Sequence, residues 1–281
     1  MDEIARRAPS ALAVRPYAEM SSKYSYIPTV NIIEGMAKAG FMPFSATQSL
    51  CRIADKQPFA KHMLRFRHLD VANSLVVGDT IPEIVLLNSH DGACCFKLIA
   101  GMYRLVCSNG LLVAEAEVAS ISIRHTGDIL RDVIDGSHQL IGDAQKTLGT
   151  VNKWGQLLLT DGEREAFAES AHTLRFADSE GKVTTPITPA QLLEPRRYAD
   201  HGKDLWTSFN VIQENVLRGG LSAIQRNAAG ERVRRVSTRE IKGIDGQTNL
   251  NRALWQLAQK MAELKGTTPP LIEAEFVETA A

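Results

Sequence analysis

Three polar clusters interrupt the most hydrophobic part of the chain, and they constrain its fold more than any other feature. They lie at 88–92, 104–110 and 123–127, with apolar segments between them. Burying a polar group without a hydrogen-bond partner costs about 1–3 kcal/mol, so each cluster must be paired within the fold or used in binding or catalysis. The residues of these clusters that can carry chemistry are Asn88, Ser89, His90, Asp91, Arg104, Asn109, Arg124 and His125.

The spacing of apolar residues changes along the chain from helical to strand-like and back. A helix is predicted between an N-cap at Thr29 and a closing Gly40. The fold class is predicted to be α+β, with a leading helix and an antiparallel sheet in the N-terminal half and a mostly helical C-terminal half, because helical spacing returns from residue 128. The predicted strands are 41–52, 59–70, 84–87, 94–107 and 111–123.

The same patterns divide the chain into four segments. Residues 1–20 lack periodicity and are predicted to be a peripheral N-terminal segment, and a sheet-rich half follows at 21–127. The helical half is predicted at 128–266, and a disordered acidic tail at 267–281.

Composition argues against several classes of protein. No apolar run approaches the roughly 20 residues that a membrane span needs, and the N-terminus lacks the apolar core of a secretory signal. The four cysteines show no CxxC spacing, which favours buried thiols in a reducing cytoplasm over disulfides or zinc ligands. No phosphate-binding glycine motif occurs. We therefore predict a cytoplasmic protein without a metal, a cofactor or a membrane partner, and leave oligomerisation open.

The net charge of zero conceals a segregation of charge. Residues 196–265 carry thirteen Lys and Arg against seven Asp and Glu, whereas residues 71–195 carry nine against sixteen. Such asymmetry can mark a face that binds polyanions. The alternative is that basic and acidic elements pair with each other inside the fold.

Two basic groups carry the expectation of nucleic-acid binding. On the strand predicted at 59–70, three cations share one face, which must be exposed or bound to something anionic. The segment 226–242 has too few acids and apolar residues to be buried, so it is predicted to be an exposed hairpin or loop between two helices. The predicted nucleic-acid-binding residues are Lys61, Arg65, Arg67, Arg226, Arg232, Arg234, Arg235, Arg239 and Lys242.

Aromatic side chains near these cations complete the pattern. In grooves for single-stranded nucleic acid, cations follow the phosphates and aromatic rings stack on bases. The alternative for the two tryptophans is a place in the core, because they lie on the apolar stripes of amphipathic helices. The candidate rings are Tyr24, Tyr26, Phe66, Trp206 and Trp255.

A catalytic site is a second interpretation of the polar clusters. His90 with Asp91 and His125 could form an acid/base pair, and Arg104 and Arg124 could stabilise an anion. The alternative is that the first cluster is a well-formed turn and His125 a hydrogen-bonded core histidine, since no spacing here matches a catalytic template.

The distance between the clusters opposes a single site. The turns at 88–92 and 108–110 flank the strand predicted at 94–107, so they lie about 40 Å apart if that strand is straight. Only a bend near Gly101, or a return of residues 124–125 to the first turn, would bring part of the cluster together.

A set of motifs resembles one known family from about residue 15 to residue 266. The motifs are Ser22 to Thr29, Phe41 to Phe44, Lys61 to His68, Leu87 to Gly92, Arg104 to Gly110, Leu205 to Asn210, Gln213 to Asn215 and Leu250 to Trp255. By these motifs the chain is identified as a member of a domain-of-unknown-function family, that of the YfjQ- and YubP-like proteins of phages, conjugative plasmids and genomic islands. The resemblance implies a mobile-element protein of the bacterial cytoplasm, and it supplies no catalytic residues.

Three functions follow as hypotheses. The leading one is a non-enzymatic DNA-associated protein of a mobile element that favours single-stranded DNA and assists annealing, establishment or recombination. The alternative is an anti-defence or host-takeover factor that binds a host protein, since a net charge of zero does not demand a nucleic-acid partner. The third is an enzyme that acts on nucleic acid, built from the polar clusters.

Overall fold

The computed structural model describes residues 1–20, 24, 26, 28–72, 80–94, 96–104, 110–112, 120–123 and 129–267. The N-terminal half comprises helices α1 (Asp2–Arg7) and α2 (Thr29–Lys38), strands β1 (Phe41–Gln48) and β2 (His62–His68), the short helix α3 (Leu69–Ala72), and strands β3 (Thr80–Asn88), β4 (Phe96–Arg104), β5 (Gly110–Leu112) and β6 (Ser120–Ile123). The C-terminal half comprises helices α4 (Ile129–Gln156), α5 (Asp161–Phe176), α6 (Pro189–Leu192) and α7 (Leu205–Arg218), the hairpin of β7 (Ser222–Arg226) and β8 (Arg232–Ser237), and helix α8 (Ile244–Thr267). The predicted α+β class is confirmed.

The sheet is antiparallel, and strands β1 to β5 are neighbours in chain order. Strand β6 also pairs with β4, so the strand predicted at 111–123 is two short strands that lie along different parts of one neighbour. Leu112 of β5 faces Gly101, and Ile123 of β6 faces Phe96. The described part of β6 therefore ends at the edge of the sheet where β4 begins.

One face of the sheet carries the main core of the N-terminal half. Leu64 and Phe66 of β2 and Ile84 and Leu86 of β3 point to this face, as the alternation of side chains along a strand requires. Helices α1, α2 and α4 cover it. Burying such side chains contributes roughly 1.5–3 kcal/mol each, which fixes the register of the strands.

Residues 1–20 are not peripheral, contrary to the prediction. Ile4, Ala8 and Ala11 are buried in the core over the sheet, and the amide of Tyr17 donates a hydrogen bond to the carbonyl of His90 at 2.9 Å. Helix α1 has only six residues, and a 3₁₀ turn follows it at Pro9–Leu12. A helical period that short cannot be recognised in the sequence, and for this reason the prediction failed.

The opposite face of the sheet is partly polar. Val85 and Ile99 form a small apolar cluster there, on which Ile244 at the start of α8 packs. Further along the same face, Arg65 of β2 and Glu83 of β3 take the place of apolar side chains and are themselves buried. Ionised groups inside a sheet need internal partners, and Arg65 and Glu83 form an ion pair with each other.

The helices of the C-terminal half pack around a second core that contains three tryptophans. The ring of Trp154 lies 4.4 Å from that of Trp255 and 6.5 Å from that of Trp206, measured between centroids. Both Trp206 and Trp255 are therefore core residues, as the alternative held, and neither can stack on a base. Helix α5 begins at a capping box of Thr160 and Glu163. No helix in the described part of the chain is both long and apolar enough to cross a membrane.

Candidate functional site

The first polar cluster lies inside the protein. Asn88 is the last residue of β3, Ser89 and His90 follow it, and none of the three is exposed to solvent. In the sheet register, Asn88 faces His62 at the start of β2. The start of α2 packs above this pair and brings Thr29, which is also fully buried.

The hydroxyl of Thr29 is the centre of this cluster. Its oxygen lies 3.0 Å from His62 Nε2, 3.2 Å from His90 Nε2 and 3.0 Å from the side-chain nitrogen Nδ2 of Asn88. His62 Nδ1 lies 3.1 Å from the carbonyl oxygen of Ala60, which can only accept, and 3.0 Å from the hydroxyl of Ser10, which can accept as well, so we assign the proton of His62 to Nδ1. His62 Nε2 then accepts from the Thr29 hydroxyl, whose oxygen accepts from Asn88 and from His90.

Burial and the neighbouring His90 lower the pKa of His62 to about 3, so its ring is neutral at physiological pH. The cluster is closed on its outer side by two tyrosines. The Tyr26 ring meets His90 edge-on at 5.0 Å, and the Tyr24 hydroxyl donates to the carbonyl of Ser89 at 3.3 Å. A substrate therefore has no access to His62 or His90 in this conformation, and the cluster joins α2 to the ends of β2 and β3.

The turn predicted at 88–92 is present. The side chain of Asp91 accepts a hydrogen bond from the amide of Ala93 at 3.0 Å, and Gly92 has a φ of 78°. These two features explain why Asp-Gly is common in turns: the Asp side chain bonds the backbone two residues on, and Gly adopts a positive φ without strain. Asp91 thus has a structural role in the turn, beside its buried neighbour His90.

Of the other predicted members of the polar clusters, Arg104 lies away from this site. Arg104 ends β4, where it faces Thr80, about 26 Å along the strand from Phe96 and the first turn. Asn109, Arg124 and His125 lie outside the described residues, so the pairing of His90 with His125 stays a prediction.

The basic face predicted on β2 is not exposed, which corrects that part of the nucleic-acid assignment. The guanidinium of Arg65, 8% exposed, lies 2.9 Å from the Glu83 carboxylate, and Arg67 Nε lies 3.7 Å from the same group. Lys61 forms an ion pair with Asp245 of α8 at 2.7 Å. For these three cations the alternative, pairing within the fold, is confirmed.

Glu83 explains why the sequence pattern was misleading. It precedes Ile84, which faces Phe66, so it lies level with Arg67 on the neighbouring strand. Burial raises the pKa of the Glu83 carboxyl, and the two guanidiniums oppose that rise. The anion that the basic face binds is therefore supplied by the chain itself, through a strand pairing that composition does not reveal.

The segment 226–242 forms an exposed hairpin and its connection to α8, as predicted. Strands β7 and β8 pair antiparallel, and a turn at Asn227 joins them. There the Asn227 side chain accepts from the amides of Ala229 and Glu231, at 3.0 and 2.9 Å, and Gly230 has a φ of 81°. We call its six exposed cations, with the strands that carry them, the arginine hairpin. They are Arg226, Arg232, Arg234, Arg235, Arg239 and Lys242.

These cations have only neutral partners among the described residues. Arg234 Nε donates to the side-chain oxygen of Gln225 at 2.8 Å, and Arg235 donates to the hydroxyl of Ser222 at 2.9 Å. Arg226 donates to the carbonyl of Gly230 at 2.7 Å. The ion pairs of the described chain involve other cations. The positive charge of the six hairpin cations is therefore available to an external anion.

The base of the arginine hairpin is held rigidly against the end of α7. Gly219 has a φ of 65°, and a Cβ there would lie 2.7 Å from the backbone of Arg239, so no larger residue fits. Arg175 donates to the carbonyl of Arg239 at 3.3 Å, and Arg196 donates to the carbonyl of Gly219. These two arginines extend the basic surface beyond the predicted segment.

A cleft of about 660 Å³ opens beside the hairpin base. Lys242 and the start of α8 form one wall, and the end of β1 with the exposed Leu50 forms the other. Among the described residues no group of three or more His, Cys, Asp and Glu side chains could hold a metal ion. The cleft is a concave surface beside the hairpin base, lined by one cation, Lys242, and two acids, Glu240 and Asp245.

Comparison with known proteins gives a family but no activity. The model of a family described as "Domain of unknown function (DUF932)" matches residues 16–255. "UPF0380 protein YfjQ" from Escherichia coli (strain K12) is 38% identical over 260 residues, which cover 92% of this chain and 90% of the relative. "UPF0380 protein YafZ" from the same strain is 37% identical with the same coverage. No solved structure matches the chain. These matches confirm the family resemblance predicted from the motifs.

Proposed function

We propose that this chain, which belongs to the DUF932 family of domains of unknown function, is a non-enzymatic DNA-associated protein. It binds single-stranded DNA through the arginine hairpin, in the bacterial cytoplasm, and assists annealing, establishment or recombination of a mobile element. The observation that carries the proposal is the set of six exposed cations, none of which forms an ion pair among the described residues, while Arg226, Arg234 and Arg235 donate to neutral acceptors.

Unpaired surface cations suit DNA binding for an energetic reason. Each cation that replaces a counterion at a phosphate releases that ion into solution, and this release drives association. For single strands, each neutralised phosphate contributes about −0.7 to the slope of log K against log salt concentration. An arginine that is already paired with a carboxylate, such as Arg65 with Glu83, contributes little because the internal pair would have to break first.

The non-enzymatic part of the proposal is supported by the state of the polar cluster. His62 and His90 are fully buried, and their Nε2 atoms are occupied by Thr29. An acid/base catalyst must reach a substrate proton directly or through one water. In the described conformation neither histidine meets that condition.

The test is a titration of fluorescently labelled single-stranded and double-stranded 30-mers, read by anisotropy between 50 and 300 mM salt. The hairpin variant carries Arg232→Ala, Arg234→Ala, Arg235→Ala and Arg239→Ala. A charge-matched control removes four exposed cations from other surfaces: Arg6→Ala, Arg15→Ala, Lys153→Ala and Lys182→Ala. Both variants have the same net charge, so a difference between them reports the position of the charge.

We expect the native protein to prefer the single strand and to bind it more weakly as salt rises. The hairpin variant is expected to bind more weakly at low salt, with a salt slope flatter by about 3, whereas the control keeps most of the affinity. Binding no tighter than micromolar at 50 mM salt, or binding that is independent of salt, would refute the proposal.

A second candidate, binding to a host protein, is favoured by a different feature of the same hairpin. Ile224 and Val233 are 42% and 59% exposed, and the two-stranded sheet leaves both of its edges unpaired among the described residues. Open strand edges with apolar side chains can accept an added strand from a partner. A pull-down from nuclease-treated bacterial lysate separates the candidates. A stoichiometric protein that is lost with Val233→Lys would support the second, and recovery of nucleic acid alone would count against it.

A further inference from the structure

One aromatic side chain of the helical half is almost fully exposed to solvent. Tyr198 is 94% exposed, whereas every other Phe, Tyr or Trp whose side chain the structure describes is buried or half-buried. Phe66, Trp206 and Trp255, three of the rings expected to stack on bases, are buried. Tyr198 was not among the predicted residues, because nothing in its local sequence distinguishes it.

The loop that carries Tyr198 is held firmly although the ring itself contacts little. Arg197, next to it, forms ion pairs with the buried carboxylates of Asp200 at 2.9 Å and Glu214 at 2.5 Å. On the other side His201 Nδ1 lies 2.9 Å from the carbonyl of Tyr198, and the His201 ring lies 5.8 Å from the tyrosine ring. The Arg197 ion pairs neutralise two buried carboxylates, and they hold the backbone beside Tyr198 in place while its ring stays exposed.

The position of this loop connects it to the arginine hairpin. Arg196, two residues before Tyr198, donates to the carbonyl of Gly219, against which the backbone of Arg239 packs. Two residues span at most about 7 Å of chain, so the backbone of Tyr198 lies within that distance of the backbone of Arg196, whose side chain reaches Gly219. The half-exposed Arg218 also lies close by, because it shares the Glu214 carboxylate with Arg197.

We propose that Tyr198 is a nucleobase-stacking residue at the margin of the arginine hairpin, where it stacks on a base of a single strand whose phosphates the arginines bind. The proposal rests on the proposed function and adds its source of single-strand preference. A base in a single strand exposes its π-face to an aromatic ring, whereas a base inside a duplex is already stacked on both faces. Stacking is tolerant of sequence, because every base has such a face.

The experiment uses the full chain and two 30-mers of equal charge, oligo(dT) and a fully abasic strand. Tyr198→Ala is compared with Tyr198→Phe, which keeps the ring, and with Val14→Ala, which shortens an apolar side chain that is 82% exposed. We expect Tyr198→Ala to bind oligo(dT) about tenfold more weakly with an unchanged salt slope, and to bind the abasic strand like the native protein. Tyr198→Phe and Val14→Ala are expected to bind both strands normally.

Three results would overturn the inference, and they differ from one another. If Tyr198→Ala binds oligo(dT) normally while the hairpin variant does not, the stacking role is wrong and the proposed function stands. If Tyr198→Ala weakens binding to the abasic strand equally, the side chain acts on the backbone and not on bases. If the native protein binds neither strand, both the inference and the proposed function fail. A melting temperature unchanged by the substitution verifies that the fold is intact.

Discussion

The polar interior of the sheet half and the arginine hairpin are both dense in polar residues, yet they have opposite environments. Around Thr29, the hydroxyl donates to His62 and accepts from His90 and Asn88, in a region without solvent exposure. In the hairpin the cations are exposed, and the hydrogen bonds described for three of them go to neutral acceptors. A polar group inside a protein must be satisfied by other parts of the chain, whereas one at the surface needs only water.

This difference separates residues that hold the fold from residues that are free to bind. Removing a partner from a buried network leaves its neighbours unsatisfied, which costs far more than the hydrogen bond contributes. Removing an exposed arginine leaves only solvent behind. The sheet half should therefore respond to substitution with a loss of stability, and the hairpin with a loss of binding. The following four substitutions or conditions test that division, beginning with the largest effect.

The largest effect is expected from Glu83→Gln. The change keeps the shape of the side chain but removes the anion that faces Arg65 and Arg67, both largely buried. We expect the free energy of unfolding to fall by about 3–5 kcal/mol in urea denaturation, as when one member of a buried ion pair is lost. The control is Glu165→Gln, an exposed carboxylate on α5, for which a change within about 0.5 kcal/mol is expected. A loss below about 1 kcal/mol for Glu83→Gln would mean that the buried carboxyl is already protonated.

Thr29→Val is expected to cost somewhat less. The substitution preserves the size of the side chain but leaves His62 without a donor and Asn88 and His90 without an acceptor. We expect a loss of about 3 kcal/mol, because each buried polar group left unpaired costs about 1 kcal/mol or more. Thr173→Val, which removes an exposed threonine hydroxyl from α5, is the matched control. Equal stability of the two variants would show that water replaces the missing hydroxyl and that the cluster is open.

The two regions also differ in how far the sequence could predict them. The hairpin was predicted correctly because its evidence is local: five arginines and a lysine occur with only two acids and few apolar residues. Exposure follows from that composition without knowledge of the rest of the fold. The helix and strand periods of the core, and the capping box at Thr160, are local in the same way.

The polar interior depends on contacts between distant parts of the chain, and for that reason its roles were not predicted. Thr29, predicted as the N-cap, is instead the first residue of α2, whose N-cap is Pro28, and it meets His90 only because α2 packs over the ends of β2 and β3. The pairing of Arg65 with Glu83 depends on the register of two strands, which a one-residue shift would change completely. The exposure of Tyr198 likewise depends on how its loop is bound to α7. A strand face with three cations predicts that an anion is present, but not that the chain supplies it.

Mild acid should weaken the buried cluster while leaving the hairpin unaffected. The pKa of His62 is lowered to about 3 in the fold, against its usual 6.5, so the unfolded chain binds a proton that the folded chain does not. Its contribution is complete above pH 6.5 and is lost as the pH falls towards 3, with about 2 kcal/mol lost between pH 7 and pH 5. Urea denaturation at these two pH values measures the loss, and NMR titration of the His62 ring identifies the group. Stability that stays constant, together with a ring that titrates near 6.5, would place His62 in contact with water.

The smallest effect on stability is expected from the four-alanine hairpin variant at Arg232, Arg234, Arg235 and Arg239. These side chains are exposed, and their described partners are a glutamine and a serine at the surface, so their loss leaves no buried group unsatisfied. We expect the melting temperature to change by no more than about 2 °C, in contrast to the two interior substitutions. Differential scanning calorimetry of the hairpin variant and of the charge-matched control makes the comparison. A stability loss as large as that of Thr29→Val would show that the arginines hold acidic parts of the chain in place, and the hairpin would then belong with the interior as a structural element.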